Sequence, residues 1–164
     1  GPTGATSSVT GPTGPVSSNS YYYDAYGVTG NFSTAYNIQF TERLNSGYYT
    51  LTGPTGVTGS YIRMGNIGTN RPFRILFYSN FLITTGNITV SYDLGTSTDG
   101  GTNWTYNDNV KNDVSIGSGT TTYAALTLIK LLSTNDIIRI TATPSSSKSV
   151  FMSGSSTGIS FFGV

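Results

Sequence analysis

The side chains that could do chemistry are few, because histidine and cysteine are absent from all 164 residues. Acyl transfer by a Ser–His–Asp or Cys–His arrangement therefore lacks its base. Cleavage of a glycosidic bond needs only two carboxylates. Glu42 is the single glutamate, and Asp99, Asp108 and Asp113 stand beside glycine or asparagine, where aspartate usually organises a turn. The sequence predicts a protein that is not an enzyme, with no catalytic residue and no cofactor.

Residues 107–113, which read NDNVKND, place several oxygen ligands close together. Asp108 and Asp113 are the candidate ligands, because calcium accepts carboxylate and amide oxygens. The spacing is not that of an EF-hand, however, and Lys111 stands among the ligands. We therefore predict a solvated loop and no metal site.

Three Asn-X-Ser/Thr sequences make Asn31, Asn87 and Asn103 candidates for N-glycosylation. They matter only if the chain passes through a eukaryotic secretory route. Residues 97–104, STDGGTNW, resemble the Asp-box, a hairpin signature that repeats in sialidases and other glycan-active propellers. Asn103 stands where that family usually has threonine, and a single copy in a short chain implies a stable hairpin rather than an activity.

The chain contains 12 tyrosines, eight phenylalanines and one tryptophan, which suits strands better than helices. Exposed aromatic rings can stack on a sugar. The candidates for such a sugar-stacking or contact surface are Tyr21, Tyr22, Tyr23, Tyr26 and Trp104. The alternative is that most of them fill the core or a seam between subunits. We favour this alternative, because isolated aromatic residues need no binding role.

Charge and hydropathy exclude two classes of partner. Only 9% of the residues are charged, the net charge is +1, and no basic cluster is present, so we predict no nucleic-acid surface. No run approaches the roughly 20 apolar residues that span a bilayer, so we predict no membrane insertion.

Residues 124–143 are the densest apolar stretch, and we expect the rest of the chain to be organised around them. Its second half alternates with period two, as in a strand, and a polar break at residues 133–136 predicts a hairpin. Leu126 and Leu128 lie on one face of the first half, and Ile129 and Leu131 lie on the other. A short helix is the alternative for this half. Residues 73–84 are also apolar on both faces, which indicates burial on both sides, inside a sandwich or between subunits.

The predicted fold is all-β, a jelly roll or β-sandwich, because about nine or ten short strands alternate with turns. Residues 20–164 form this head domain, and the final strand, residues 158–164, should lie inside a sheet. Residues 1–19 contain Gly-X-Y triplets, the pattern that lets three polyproline-like chains pack together. Seven residues separate Gly4 from Gly11, which breaks the frame. This segment is a collagen-like stem remnant or a flexible linker.

The last third of the chain resembles the end of the trimeric jelly-roll heads of the complement and tumour-necrosis-factor type. In those heads an apolar strand, a polar turn ending in Asp, a second apolar strand and a Gly-Phe-rich final strand follow in order, as do residues 126–132, 134–136, 137–141 and 157–164 here. The resemblance implies a homotrimer. The candidates for its interface are Phe77, Leu126, Leu128 and Phe161.

Gly-X-Thr stems that carry β heads resemble the surface fibres of large DNA viruses and phages, and also the hair-like nap of bacterial spores. The resemblance therefore implies a structural or adhesive head on the exterior of a virion, with a host-surface glycan or receptor as partner. The alternatives are a spore-surface collagen-like glycoprotein head, located on a spore or cell surface, and a glycan-binding module.

Overall fold

A computed structural model describes residues 21–53, 59–106 and 112–164. These residues form fourteen β-strands and one 3-10 turn, Gly154–Ser156. The strands, in chain order, are β1 Tyr22–Gly27, β2 Gly30–Phe32, β3 Tyr36–Asn37, β4 Phe40–Asn45, β5 Tyr49–Thr52, β6 Tyr61–Met64, β7 Arg71–Leu82, β8 Ile88–Ser97, β9 Thr105–Tyr106, β10 Asn112–Ile116, β11 Thr121–Leu132, β12 Ile137–Pro144, β13 Val150–Met152 and β14 Gly158–Gly163. The described ranges contain no helix with the length and apolarity needed to cross a membrane.

The strands form two antiparallel sheets of seven strands each. In the first sheet β7 is central: β11 pairs along its whole length on one side, and β14 and β13 pair with it on the other. The sheet continues from β14 to β1 and β4, and β2 pairs with β13. The second sheet runs β10-β8-β12-β6-β5, with β3 on β12 and β9 on β8. The C-terminal strand β14 thus lies inside a sheet, between β7 and β1, as predicted.

The core lies between the sheets, and the long strands contribute to it largely by alternation of buried and more exposed residues. In β7 the side chains of Phe73, Ile75 and Phe77 are fully buried, whereas Arg74 and Tyr78 between and beyond them are exposed. In β8, Val90 and Leu94 point inward from the second sheet. The predicted all-β sandwich is confirmed.

The predicted hairpin at residues 126–141 is wrong. Both halves are strands, as expected, but β11 belongs to the first sheet and β12 to the second. Asn135 lies in the left-handed region with φ of 73°, and Asp136 accepts a hydrogen bond of 2.8 Å from the Ser133 amide. The tight turn at residues 133–136 carries the chain from the first sheet to the second. On either side of it, β11 pairs with β7 over twelve residues and β12 pairs with β8 over eight.

The structure corrects the four interface candidates, Phe77, Leu126, Leu128 and Phe161. All four point into the core of a single chain, and none is more than 8% exposed. Phe77 and Leu126 pair directly across β7 and β11, and Phe161 pairs with Ile75 across β14 and β7. Because these faces pack against the second sheet, these four side chains are not available for a contact between subunits.

Gly154 is required where the 3-10 turn packs against the connection from β1 to β2. A Cβ at this position would lie 2.3 Å from the Gly27 carbonyl oxygen and 2.7 Å from the Thr29 amide nitrogen, and backbone atoms cannot yield cheaply. We expect Gly154→Ala to lower the free energy of unfolding by about 1–3 kcal/mol, the cost of overpacking. Denaturant unfolding measures it. Gly117→Ala is the control, since its Cβ would meet its nearest atom at 3.6 Å; equal stability of the two variants would contradict the prediction.

Candidate functional site

The outer face of the first sheet carries every large apolar or aromatic side chain that is exposed in the described part of the chain. We call this surface the apolar face. It consists of Tyr22, Tyr26, Leu44, Tyr78, Tyr123, Ile129, Leu131, Phe162 and Val164. A water-exposed patch of this kind on one side of a sheet marks an interaction surface rather than the scatter seen on ordinary surfaces.

Strand register arranges the apolar face in rows. Tyr22 pairs with Phe162, Phe162 with Arg74, and Arg74 with Ile129, so one row crosses four strands. Directly opposed side chains on one sheet face lie about 4.5–5.5 Å apart at Cβ and therefore touch. The rows form a continuous surface because the pleat sends alternate residues of all these strands to the same side.

A groove of about 480 Å³ lies within the apolar face. Arg74, Leu76, Thr127, Phe162 and Val164 line it, so its one charged side chain is a cation among apolar neighbours. The acidic residue of the same face, Asp24, is already paired: it accepts hydrogen bonds from Arg43 and, at 2.9 Å, from the Ser160 hydroxyl. Arg74 therefore has no carboxylate partner among the described residues.

The aromatic residues singled out from the sequence do not form one platform. Tyr21 and Tyr23 are buried, Tyr22 and Tyr26 lie on the apolar face, and Trp104 lies on the second sheet. Desolvation raises the pKa of Tyr23, whose hydroxyl has no hydrogen-bond partner in the described structure. That ring therefore serves the core and stays neutral at ordinary pH.

The carboxylates also stay apart. Glu42 is the one carboxylate that lines a shallow pocket of about 420 Å³, and it accepts a hydrogen bond of 2.9 Å from Asn45. Asp113 accepts one of 2.6 Å from the Ser91 hydroxyl. Asp108, the other candidate calcium ligand, lies outside the described residues. Within the described ranges, no group of three or more acidic side chains is placed to hold a metal ion.

The asparagines of all three sequons are exposed, but they differ in the hydrogen bonding of the side-chain amide. Asn31 lies in β2 and Asn87 in the turn between β7 and β8. The side-chain amide of Asn103 donates a hydrogen bond of 2.7 Å to Asp99. Because glycan transfer needs this nitrogen free, the folded protein disfavours modification at Asn103.

The segment that resembles an Asp-box is a closed loop organised by Asp99. Its carboxylate accepts hydrogen bonds from the amides of Asn103 and Thr102, at 2.9 and 3.1 Å, and from the Ser97 hydroxyl at 2.7 Å. The loop then holds Trp104, whose indole nitrogen donates to the Gly101 carbonyl at 2.9 Å. The expected hairpin is confirmed, because β8 and β9 pair on either side of this loop.

This loop should respond to acid. The hydrogen bonds from Asn103 and Ser97 lower the pKa of Asp99 from 3.8 to about 2. A depressed pKa means that the ionised form holds the loop above pH 3.8 and that this support is lost as pH falls through about 2. Trp104, the single tryptophan, should therefore change its fluorescence in a step centred near pH 2, where Asp99 becomes protonated in the folded protein. Asp99→Asn should remove this step; an unaltered step would contradict the prediction.

Sequence reasoning placed Ile129 and Leu131 on a second apolar face but missed Tyr78, Tyr123 and Val164. The alternation in β7 and β11 was the available signal. It shows two apolar faces on each strand, yet it does not say which one meets the second sheet.

Comparison with solved structures agrees with this architecture. The chain is similar to an Eiger TNF from S. frugiperda, with 9% identity and a TM-score of 0.59 over 88% of this chain and 92% of that one. It is similar to murine APRIL at pH 8.0, with 13% identity and a TM-score of 0.59 over 87% and 99% of the two chains. At such identities the likeness concerns the fold, and the predicted jelly roll of the tumour-necrosis-factor type is confirmed at that level. Family models and curated proteins yield no match to the sequence.

Proposed function

We propose that this chain is the homotrimeric head of an extracellular surface protein, and that its apolar face is the subunit interface. The observation that carries the proposal is the collection of all the exposed large apolar side chains of the described residues on one sheet face. Removing a Leu, Ile or Phe side chain from water contributes about 1.5–3 kcal/mol. Ile129, Leu131 and Phe162 are 48–62% exposed in one chain, so covering them in each subunit contributes part of this free energy per side chain and favours an assembly without disulfides.

Two features favour a second and third copy of the same chain as the occupant. The charges described on the apolar face are few, namely Arg74 and the Asp24–Arg43 ion pair, and a closed symmetric assembly is the usual way for identical chains to hide such a surface. The Gly-X-Y triplets in residues 1–6 and 11–16 are the pattern of a three-chain stem, because only three chains use a glycine at every third position. A threefold axis beside the apolar face would cover this face and would also bring three stems together.

The head would be carried on the exterior of a virus particle and used for attachment to a host surface. The low charge, the Gly-X-Thr triplets and the compact β head support this location, and a spore or cell surface is the alternative. In such a trimer the first sheet faces the axis and the second sheet faces outward, so the second sheet presents the residues that meet a receptor or glycan. Catalysis is not part of the proposal, since Glu42 has no carboxylate beside it in its pocket.

Light scattering of the full chain at micromolar concentration tests the assembly. We expect a molar mass three times the 17.3 kDa of one chain. Binding of the fluorescently labelled protein to intact host cells then tests attachment. A monomeric mass would overturn the subunit interface, whereas a trimer that binds no cell surface would leave a purely structural head.

A further inference from the structure

The outward sheet carries one cluster of side chains that differs from the polar surface around it. We call it the arginine–aromatic cluster, and it consists of Tyr61, Trp104, Tyr106 and Arg139. They come from β6, the loop before β9, β9 itself and β12. The cluster is on the opposite side of the sandwich from the apolar face, so the proposed trimer leaves it accessible.

Register and one glycine build the cluster. Arg139 pairs with Gly95 across β12 and β8, and Gly95 pairs with Tyr106 across β8 and β9. Because Gly95 has no side chain, the two aromatic rings can close over it toward Arg139. A Cβ there would lie 2.9 Å from the Tyr106 ring and 3.2 Å from the Trp104 ring.

The guanidinium of Arg139 lies against the three rings. Its Cζ atom is 3.8 Å from the centroid of Trp104, 5.5 Å from that of Tyr106 and 6.0 Å from that of Tyr61. Arg139 Nε donates to the Tyr106 hydroxyl at 3.1 Å, and Nη2 donates to the same oxygen. The Tyr106 hydroxyl lies 3.3 Å from the Thr141 hydroxyl, which donates to Asn37. The cation is thus fixed in position and orientation.

Arg139 has donors to spare. A guanidinium carries five N–H groups, and the hydrogen bonds given above use only Nε and Nη2. Throughout residues 21–53, 59–106 and 112–164 the sole ion pair is that between Arg43 and Asp24, so no carboxylate oxygen of these residues lies within ion-pair distance of Arg139. An oriented, partly buried arginine with no ion pair among the described residues is suited to bind an anionic group of a ligand.

We infer that the arginine–aromatic cluster binds a carboxylate-bearing sugar, an inference that rests on the proposed outward-facing attachment role. The planar carboxylate would accept hydrogen bonds from the remaining Arg139 donors in the fork geometry that guanidinium favours. The apolar side of the pyranose ring would pack on the exposed parts of Tyr61 and Trp104, since aromatic rings offer a flat apolar surface with polar edges. Acidic rather than neutral glycans are therefore the ligand class.

Titration of the full chain with a sialylated trisaccharide and with a glucuronate-containing tetrasaccharide tests this inference. Calorimetry gives the affinity, and fluorescence reports the site because Trp104 is the only tryptophan. We expect at least one of the two to bind with a change in Trp104 emission, and its carboxyl-reduced form to bind about tenfold more weakly or worse, since a hydrogen bond to a charged group is lost. Equal binding of the two forms, or no binding of either acidic sugar, would overturn the inference.

Variants locate the site. Arg139→Gln should weaken binding about tenfold or more, because it removes the cation and the fork. Tyr61→Leu should weaken it severalfold while leaving the Arg139–Tyr106 hydrogen bonds in place. Lys148→Gln is the matched control: it removes the same charge at an exposed position whose ammonium donates to the Asn87 carbonyl, and it should bind as the parent does. Unchanged binding by folded Arg139→Gln would exclude the site.

The sugar-binding experiment and the molar-mass measurement can fail independently of each other. A trimeric mass without sugar binding would overturn the ligand inference and leave the assembly intact. A monomeric mass with sugar binding that depends on Arg139 would support the ligand site and overturn the subunit interface.

Discussion

Leu131→Asp is expected to convert the proposed trimer into a folded monomer. Leu131 is 58% exposed on the apolar face and pairs with Pro72, so a single chain tolerates the charge in water. In the proposed trimer this carboxylate would be buried without a positively charged partner in each of the three subunits. Each unpaired charge would cost several kcal/mol. Light scattering should give the mass of one chain at micromolar concentration, and far-UV circular dichroism should show an unchanged β spectrum.

Leu132→Asp is the matched control, because the next residue of the same strand points to the other side of the sheet. Leu132 is 1% exposed and belongs to the core. An unpaired charge there costs about several kcal/mol against a total stability of about 5–15 kcal/mol, so we expect loss of the folded state rather than dissociation. If Leu131→Asp remained trimeric, or if Leu132→Asp gave a folded monomer, the assignment of the two faces would fail.

Phe161→Ala should be strongly destabilising. Phe161 is fully buried on β14, and its ring lies 5.5 Å from that of Tyr23 and 6.0 Å from that of Tyr49. Truncation leaves a cavity among these rings and should lower the free energy of unfolding by about 3–5 kcal/mol. Urea unfolding in the Leu131→Asp background measures this loss without a contribution from subunit contacts.

Phe162→Ala provides the comparison for that measurement. Phe162 is 48% exposed on the apolar face, opposite Tyr22 and Arg74. In the monomeric background we expect its unfolding free energy to change by about 0.5 kcal/mol or less, as for surface substitutions. In the parent chain the same change should weaken the trimer. Comparable losses for the two phenylalanines in the monomer would show that both faces of β14 are buried within one chain.

Much of the fold was predictable because its signals are local. The alternation in residues 88–94 indicates a half-buried strand, and the polar residues at 133–136 indicate a turn; both are present in β8 and before β12. The loop at residues 97–104 was also predictable, since Asp99 binds amides only three and four residues away. Such features depend on neighbours in the chain, so the residue types determine them directly.

The partners of the strands were not predictable in the same way. β11 pairs with β7, about fifty residues earlier, and not with β12, which follows after a four-residue turn. Local rules favour a hairpin at such a turn, but the ladder between β11 and β7 has twelve residue pairs, more than a hairpin with the eight-residue β12 could form. This long-range competition reversed the expectation for residues 126–141.

By itself, the sequence determined that the chain is a β-sandwich without histidine or cysteine chemistry, and that β7 and β11 are apolar on both faces. Only the tertiary structure decided that Leu126, Leu128, Phe77 and Phe161 face the core and that Ile129 and Leu131 face outward. The reason is that an alternation with period two separates the side chains into two faces but does not indicate which face is buried. Packing against the second sheet decides this. In the same way, Arg139, Tyr61 and Tyr106 are far apart in the chain, and only strand register places them around Gly95.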